Sequence, residues 1–96
     1  MTIPAIIRYV GSIREFDITS NGLTKKQKAV EVTLESGGNW FVAEGYGDVA
    51  DAISQHAQVG SFCLAELVFG IREIERKDGS GKYLALKATV AAISGI

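Results

Sequence analysis

From Lys28 to Glu35 the chain alternates, with Val30, Val32 and Leu34 on one side of a pleated backbone and Glu31, Thr33 and Glu35 on the other. That period of two predicts a strand with one buried face. Upstream, residues 5–18 (AIIRYVGSIREFDI) are dense in Ile, Val, Tyr and Phe and read as one bent strand, with Gly11 as the residue that permits a bulge or sharp bend. Asn21-Gly22 supplies a turn between the two. Ser36-Gly37-Gly38-Asn39 then turns the chain into a short strand, Trp40 to Glu44, ended by Gly45 and Gly47. Between Asp48 and Gln58 the period changes: Val49, Ala50, Ile53 and Ala57 recur at helical spacing, with Asp48 as the expected N-cap and Gly60 as the stop. Phe62 to Arg76 is a long apolar run, and residues 77–82 (KDGSGK) carry hairpin-tip chemistry. In the last strand Leu84, Leu86, Ala88 and Val90 are expected to face inward, with Tyr83, Lys87 and Thr89 on the other side.

Three strands, one helix and two strands is the element order of the OB-fold, an all-β, five-stranded Greek-key barrel in which a helix joins strands three and four. No linker, repeat or low-complexity tract interrupts the chain, so residues 1–96 are expected to form a single OB-fold domain. A ferredoxin-like fold would need a helix after the first strand. The stretch between Ile18 and Lys28 is too short, and too marked by glycine and asparagine, to supply one.

Composition narrows the function. The chain has 96 residues, 47% of them hydrophobic, which suffices for one compact core. Its one cysteine, Cys63, excludes an internal disulfide, and no Cys/His cluster offers a metal site; a soluble, cytoplasmic protein without cofactor or metal is expected. No apolar run is long enough to span a membrane, and residues 1–11 lack a signal peptide's apolar core and cleavage site. An enzyme is not expected. The single histidine, His56, lies in the helix with no partner nucleophile, Cys63 sits in an apolar strand as a core packer, and the glycines form neither a P-loop nor a dinucleotide fingerprint.

Binding remains. Single-stranded nucleic acid is held by aromatic rings that stack on bases and by Lys and Arg that follow the phosphates, and an OB barrel presents both on its second and third strands and its long loops. Trp40 and Tyr46 bracket the third strand; Arg72, Arg76, Lys77, Lys82 and Lys87 gather at the hairpin between strands four and five; Lys25, Lys26 and Lys28 form a second basic group between strands one and two. The competing reading makes the rings barrel packing and the lysines ordinary solvated surface. With ten Lys+Arg against eleven Asp+Glu, a formal charge of −1, any contact to nucleic acid has to come from local placement of cations.

Trp40, Tyr46-Gly47, Val49-Ala50, Gly60-Ser61, Glu66, Arg72, Gly79 and Tyr83, with Val10-Gly11 in the first strand, resemble in identity and spacing the bacterial single-stranded DNA-binding protein family. The resemblance covers residues 7–92 and is best from Trp40 to Val90. It implies binding of single-stranded DNA with little sequence preference in replication, recombination or repair, with Trp40 and Tyr46 as stacking platforms and Arg72 on a phosphate. It also implies a homodimer or tetramer built on the first-strand edge, here Ile6, Arg8, Val10 and Ile13.

Three departures stand against the pattern. A stacking aromatic of the strand-four hairpin falls on Ile74, another tryptophan has no counterpart between Lys28 and Glu35, and Glu31, Glu35 and Glu44 place negative charge where phosphates would run. The acidic-tipped tail that recruits replication and repair enzymes in the family is also not seen after Val90, which likens the chain to the tail-less relatives: primosomal restart accessories and phage or mobile-element proteins. These features motivate the alternative expectation, an oligomeric OB-fold adaptor that holds replication or restart proteins and binds nucleic acid weakly or not at all.

Overall fold

A computed structural model describes residues 1–96. The strands are β1 (Thr2–Val10), β2 (Arg14–Ser20), β3 (Leu23–Ser36), β4 (Asn39–Tyr46), β5 (Phe62–Glu75) and β6 (Lys82–Ser94), and α1 (Asp48–His56) joins β4 to β5. Along the sheet the order is β1-β5-β6-β4-β3-β2, and a further antiparallel pairing of β1 with β3 closes it into a barrel. The last link of the closure is the parallel contact of β4 with β6 at Ala43/Ala88 and Glu44/Thr89. This is the expected OB-fold. Its bent first strand is divided into β1 and β2, so β2 pairs only with β3 and the two project from the barrel as an arm.

Gly11 makes that division possible. Its amide donates to the Glu31 carbonyl at 2.8 Å, and a Cβ there would lie 3.2 Å from the same oxygen, so the chain leaves the β1/β3 ladder where only glycine fits closely. At the arm's tip Asn21 (φ 52°) and Gly22 (φ 77°) adopt the paired left-handed conformations of a two-residue hairpin turn. The turn was expected, but its flanks are paired strand rather than loop. Lys25 and Lys26 therefore stand on β3, opposite Ile18 and Asp17, and not in a loop.

The core follows the alternation. Ile3, Ala5 and Ile7 from β1, Val30, Val32 and Leu34 from β3, and Cys63, Ala65 and Leu67 from β5 meet Ala43, Ala88 and Val90 inside, with Ala50 and Ile53 of α1 across one end. Burial pushes the Cys63 thiol pKa up, in keeping with a core packer. Buried Gly45 lets α1 sit directly on β4, since a Cβ would approach Ile53 Cδ1 to 2.9 Å. The helix differs from expectation at both ends. Its N-cap position is Gly47, at φ 59° with no side-chain cap, while Asp48 lies in the first turn, where a carboxylate suits the dipole. It stops at His56, whose successor Ala57 is extended, so Gly60 does not end it.

The inward assignment on β6 holds only for Ala88 and Val90. Leu84 and Leu86 are 68% and 71% exposed, because the β5–β6 hairpin outruns the barrel and no opposite wall covers that part of its inner face. β1 changes partner along its length, with Thr2 to Ile6 against β5. Residues Ile6 to Val10 pair with β3, Arg8 holds Glu35, and Val10 packs against the core, while Ile13 lies exposed in the break before β2. No helix is long and apolar enough to cross a membrane.

Candidate nucleic-acid interface

Alternation along β4 puts Phe41, Ala43 and Gly45 inward and Trp40, Val42, Glu44 and Tyr46 outward. Trp40 is 64% exposed, so it is not barrel packing. Where β4 and β6 splay apart on the Trp40 side of their short parallel contact, a groove opens between them. Its Trp40 end is apolar, walled by Phe41, Val42, Phe69, Leu86 and Ala88. Its middle runs between Val42 and Glu44 on one side and Arg72, Ile74 and Lys87 on the other. At the far end Tyr46 meets Arg72, Lys87, Arg14 and Phe16. Neighbouring stretches share walls: Val42, Leu86 and Ala88 line the first two, and Glu44, Arg72 and Lys87 the last two.

The register explains this assembly. Gly70 pairs with Lys87 and Arg72 with Ala85, so Arg72 and Lys87 are diagonal neighbours on one face of the β5–β6 hairpin. Ala29 pairs with both Arg14 and Tyr46, which brings the base of the arm to the end of β4. Tyr46 of the third-strand pair and Arg72 and Lys87 of the hairpin group are thus brought together. Arg14 and Phe16 belong beside them and were missed; their i, i+2 spacing on one face of β2 was the available signal, hidden while residues 5–18 were read as one barrel strand.

The other candidate cations lie outside the groove. Arg76 stacks on Tyr83, its guanidinium carbon 5.1 Å from the ring centroid, and Lys77 and Lys82 stand exposed near the hairpin tip. Ser80, through its hydroxyl and its amide, holds the Asp78 carboxyl pKa below its usual range and shapes that tip. Lys26 pairs with Asp17 at 3.2 Å and Lys28 with Asp51 at 3.1 Å, so neither is free. Lys25 is on the opposite face of the arm from Lys26, the face that carries Phe16 and Ile18.

Charge across the groove is uneven. The β5–β6 wall carries Arg72 and Lys87, whereas the outward positions of β3 and β4 carry Glu31, Glu35 and Glu44, with Glu31 directly opposite Glu44. Each aromatic on this face already has a cation over it. Arg8 lies 5.8 Å from the Trp40 centroid and donates from Nε to Glu35 Oε1 at 2.6 Å. Lys87 Nζ lies 4.9 Å from the Tyr46 centroid and donates to its hydroxyl. That hydroxyl in turn donates to Glu44 Oε2 at 3.0 Å, and Arg14 Nη2 reaches the same oxygen at 2.7 Å.

Nothing in this channel resembles a catalytic constellation: its titratable groups are three cations, one carboxylate and a tyrosine. His56 is exposed at the end of α1, away from it. No group of His, Cys, Asp and Glu is arranged to hold a metal ion.

No protein-family model matches the sequence, and no curated protein does. Among solved structures, the chain is similar to the mitochondrial single-stranded DNA-binding protein Rim1 from S. cerevisiae, with a TM-score of 0.53 and 18% identity over 98% of this chain and 92% of that one. At this identity the likeness speaks to the fold, and it establishes an OB-fold shared end to end with a single-stranded DNA-binding protein.

Proposed function

We propose that this protein binds single-stranded DNA with little sequence preference, in replication, recombination or repair. The observation that carries this reading is the channel itself: Trp40 at one end and Tyr46 at the other, on one outward face of β4, with Arg72, Lys87 and Arg14 converging on the Tyr46 end. Bases stack on the rings, and phosphates meet the cations beside them: Arg72 and Lys87 on the β5–β6 wall, Arg14 at the base of the arm and Arg8 beside Trp40. Lys25 on the arm and Arg76, Lys77 and Lys82 at the hairpin tip extend the positive path at either side. The fold shared with Rim1 and the family-like spacing from Trp40 to Tyr83 support the same reading.

Binding of an unlabelled oligo-dT measured against salt tests it. Each phosphate neutralised on a single strand contributes about 0.7 to the slope of log K on log salt, so the two groove cations with no carboxylate partner, Arg72 and Lys87, predict a slope of about −1.4. A salt-independent affinity would contradict phosphate contacts.

A second reading has its own observation. Ile71 (70% exposed), Leu84 and Leu86 make an apolar patch on the barrel-facing side of the hairpin, continuous with the Trp40 end of the groove. Such patches mark protein contacts. Under this reading the barrel self-associates, as a dimer or tetramer using Ile6, Arg8 and Ile13 at the β1 edge, and serves as an adaptor for replication or restart proteins. Light scattering at micromolar concentration should then give a mass at least twice that of the chain, and a monomer would contradict it.

A further inference from the structure

Beside each candidate stacking ring an arginine is already held by a carboxylate. Arg8 is held by Glu35, its neighbour's cross-strand partner, since Glu35 and Trp40 face each other in the β3/β4 ladder. Arg14 is held by Glu44, which also takes the Tyr46 hydroxyl, and Lys87 lies on the same ring. At both ends a carboxylate on the sheet thus holds an arginine beside the ring: at Trp40 that arginine, Arg8, is also the cation on the ring, whereas at Tyr46 the ring cation is Lys87 and Glu44 holds Arg14. Ring–cation contacts occur about once per 70–80 residues in proteins, so two on one strand's outward face exceed the ordinary frequency.

Within each ion pair the partners differ in freedom. The carboxylates are on the sheet with side chains 21% and 24% exposed, while Arg8 and Arg14 are 37% and 60% exposed on long flexible stems. The arginine is the partner that can swing to a phosphate. The carboxylate stays behind and repels it.

We infer that Glu35 and Glu44 are built-in competitors for the phosphate backbone: each occupies, in the free protein, the cation that a bound strand would need, and so limits affinity for single-stranded nucleic acid. This rests on the reading that the channel binds such a strand. Binding is then an exchange of carboxylate for phosphate at Arg8 and Arg14. Only cations outside these pairs, such as Arg72, release condensed counterions in full.

Two measurements on Glu35→Gln and Glu44→Gln, singly and together, test this against labelled oligo-dT. Having to break an exposed pair of this kind on binding lowers affinity by about 1.4- to 5-fold, so the double variant, with no pair to break, should bind about 2- to 25-fold more tightly than wild type. It should also show a salt slope steeper by up to about 1.4, because each of two freed arginines now exchanges counterions at about 0.7 apiece. Glu15→Gln is the control, the same change of charge on the opposite face of the arm. It should tighten binding less and leave the slope unchanged.

Tightening no greater than that of Glu15→Gln, or weaker binding in the variants, overturns the inference while leaving DNA binding intact. Weaker binding would mean that the carboxylates position the arginines instead of competing for them. Binding that emerges only in the Gln variants would support the inference strongly. Failure of wild type and every variant to bind overturns both this and the function on which it rests.

Discussion

Trp40→Ala combined with Tyr46→Ala is expected to weaken oligo-dT binding between about 30-fold and about 20,000-fold. The range follows from stacking, worth about 1 to 3 kcal/mol per base, over two rings. The shares should be unequal. Trp40 is 64% exposed and its neighbours at that end are apolar, so a base can cover it with little rearrangement. Tyr46 is half-buried and tied through its hydroxyl to Glu44 and Lys87, so a base must displace part of that network first. Trp40→Ala alone should therefore cost more than Tyr46→Ala alone. Tyr46→Phe separates ring from hydroxyl: it keeps the stacking surface, loosens Glu44 and Lys87, and should bind no worse than wild type. Fluorescence anisotropy of a labelled oligonucleotide reads all four variants. Undiminished binding in the double variant would remove stacking from the account.

The largest expected effect on stability is at Ile53. Its replacement by Ala should lower the unfolding free energy by about 2 to 5 kcal/mol, read as a fall in the urea midpoint without a change in slope. A domain of this kind has about 5 to 15 kcal/mol in all, so the loss is a large share. The reason is positional. Ile53 is fully buried in a nine-residue helix that is too short to persist by itself and is held by its apolar face on the barrel end. Gly45 beneath it leaves no slack: Gly45→Ala alone should cost about 1 to 3 kcal/mol by overpacking. Paired with Ile53→Val, which removes the methyl at 2.9 Å, the cost should be smaller than the sum. A loss below about 1 kcal/mol in Ile53→Ala would mean that α1 does not close the barrel.

Much of this fold was legible because alternation reports which face of a strand is buried. Val30, Val32 and Leu34 alternate and are buried together, and the same period places Ala88 and Val90 inside. It fails at Leu84 and Leu86, because the period says which residues share a face but not how far the opposite wall extends. Register was the other hidden quantity. That Glu31 opposes Glu44, that Glu35 opposes Trp40, and that Ala29 joins Arg14 to Tyr46 are properties of pairing, with no signal along the chain. The sequence could therefore mark Trp40, Tyr46, Arg72 and Lys87 as types of residue suited to one surface. It could not separate them from Lys26 and Lys28, whose charges are taken by Asp17 and Asp51.

The most direct test of the central claim uses Trp40, the one tryptophan in the chain, as its own reporter. Its emission is followed as long oligo-dT is added at low salt, and again as salt is raised. Strong quenching that salt reverses is the predicted result, because a base on Trp40 and phosphates on the groove cations must bind together. Emission unchanged at saturating oligonucleotide, with no binding by anisotropy, would contradict it and leave the apolar hairpin face as the surface to explain.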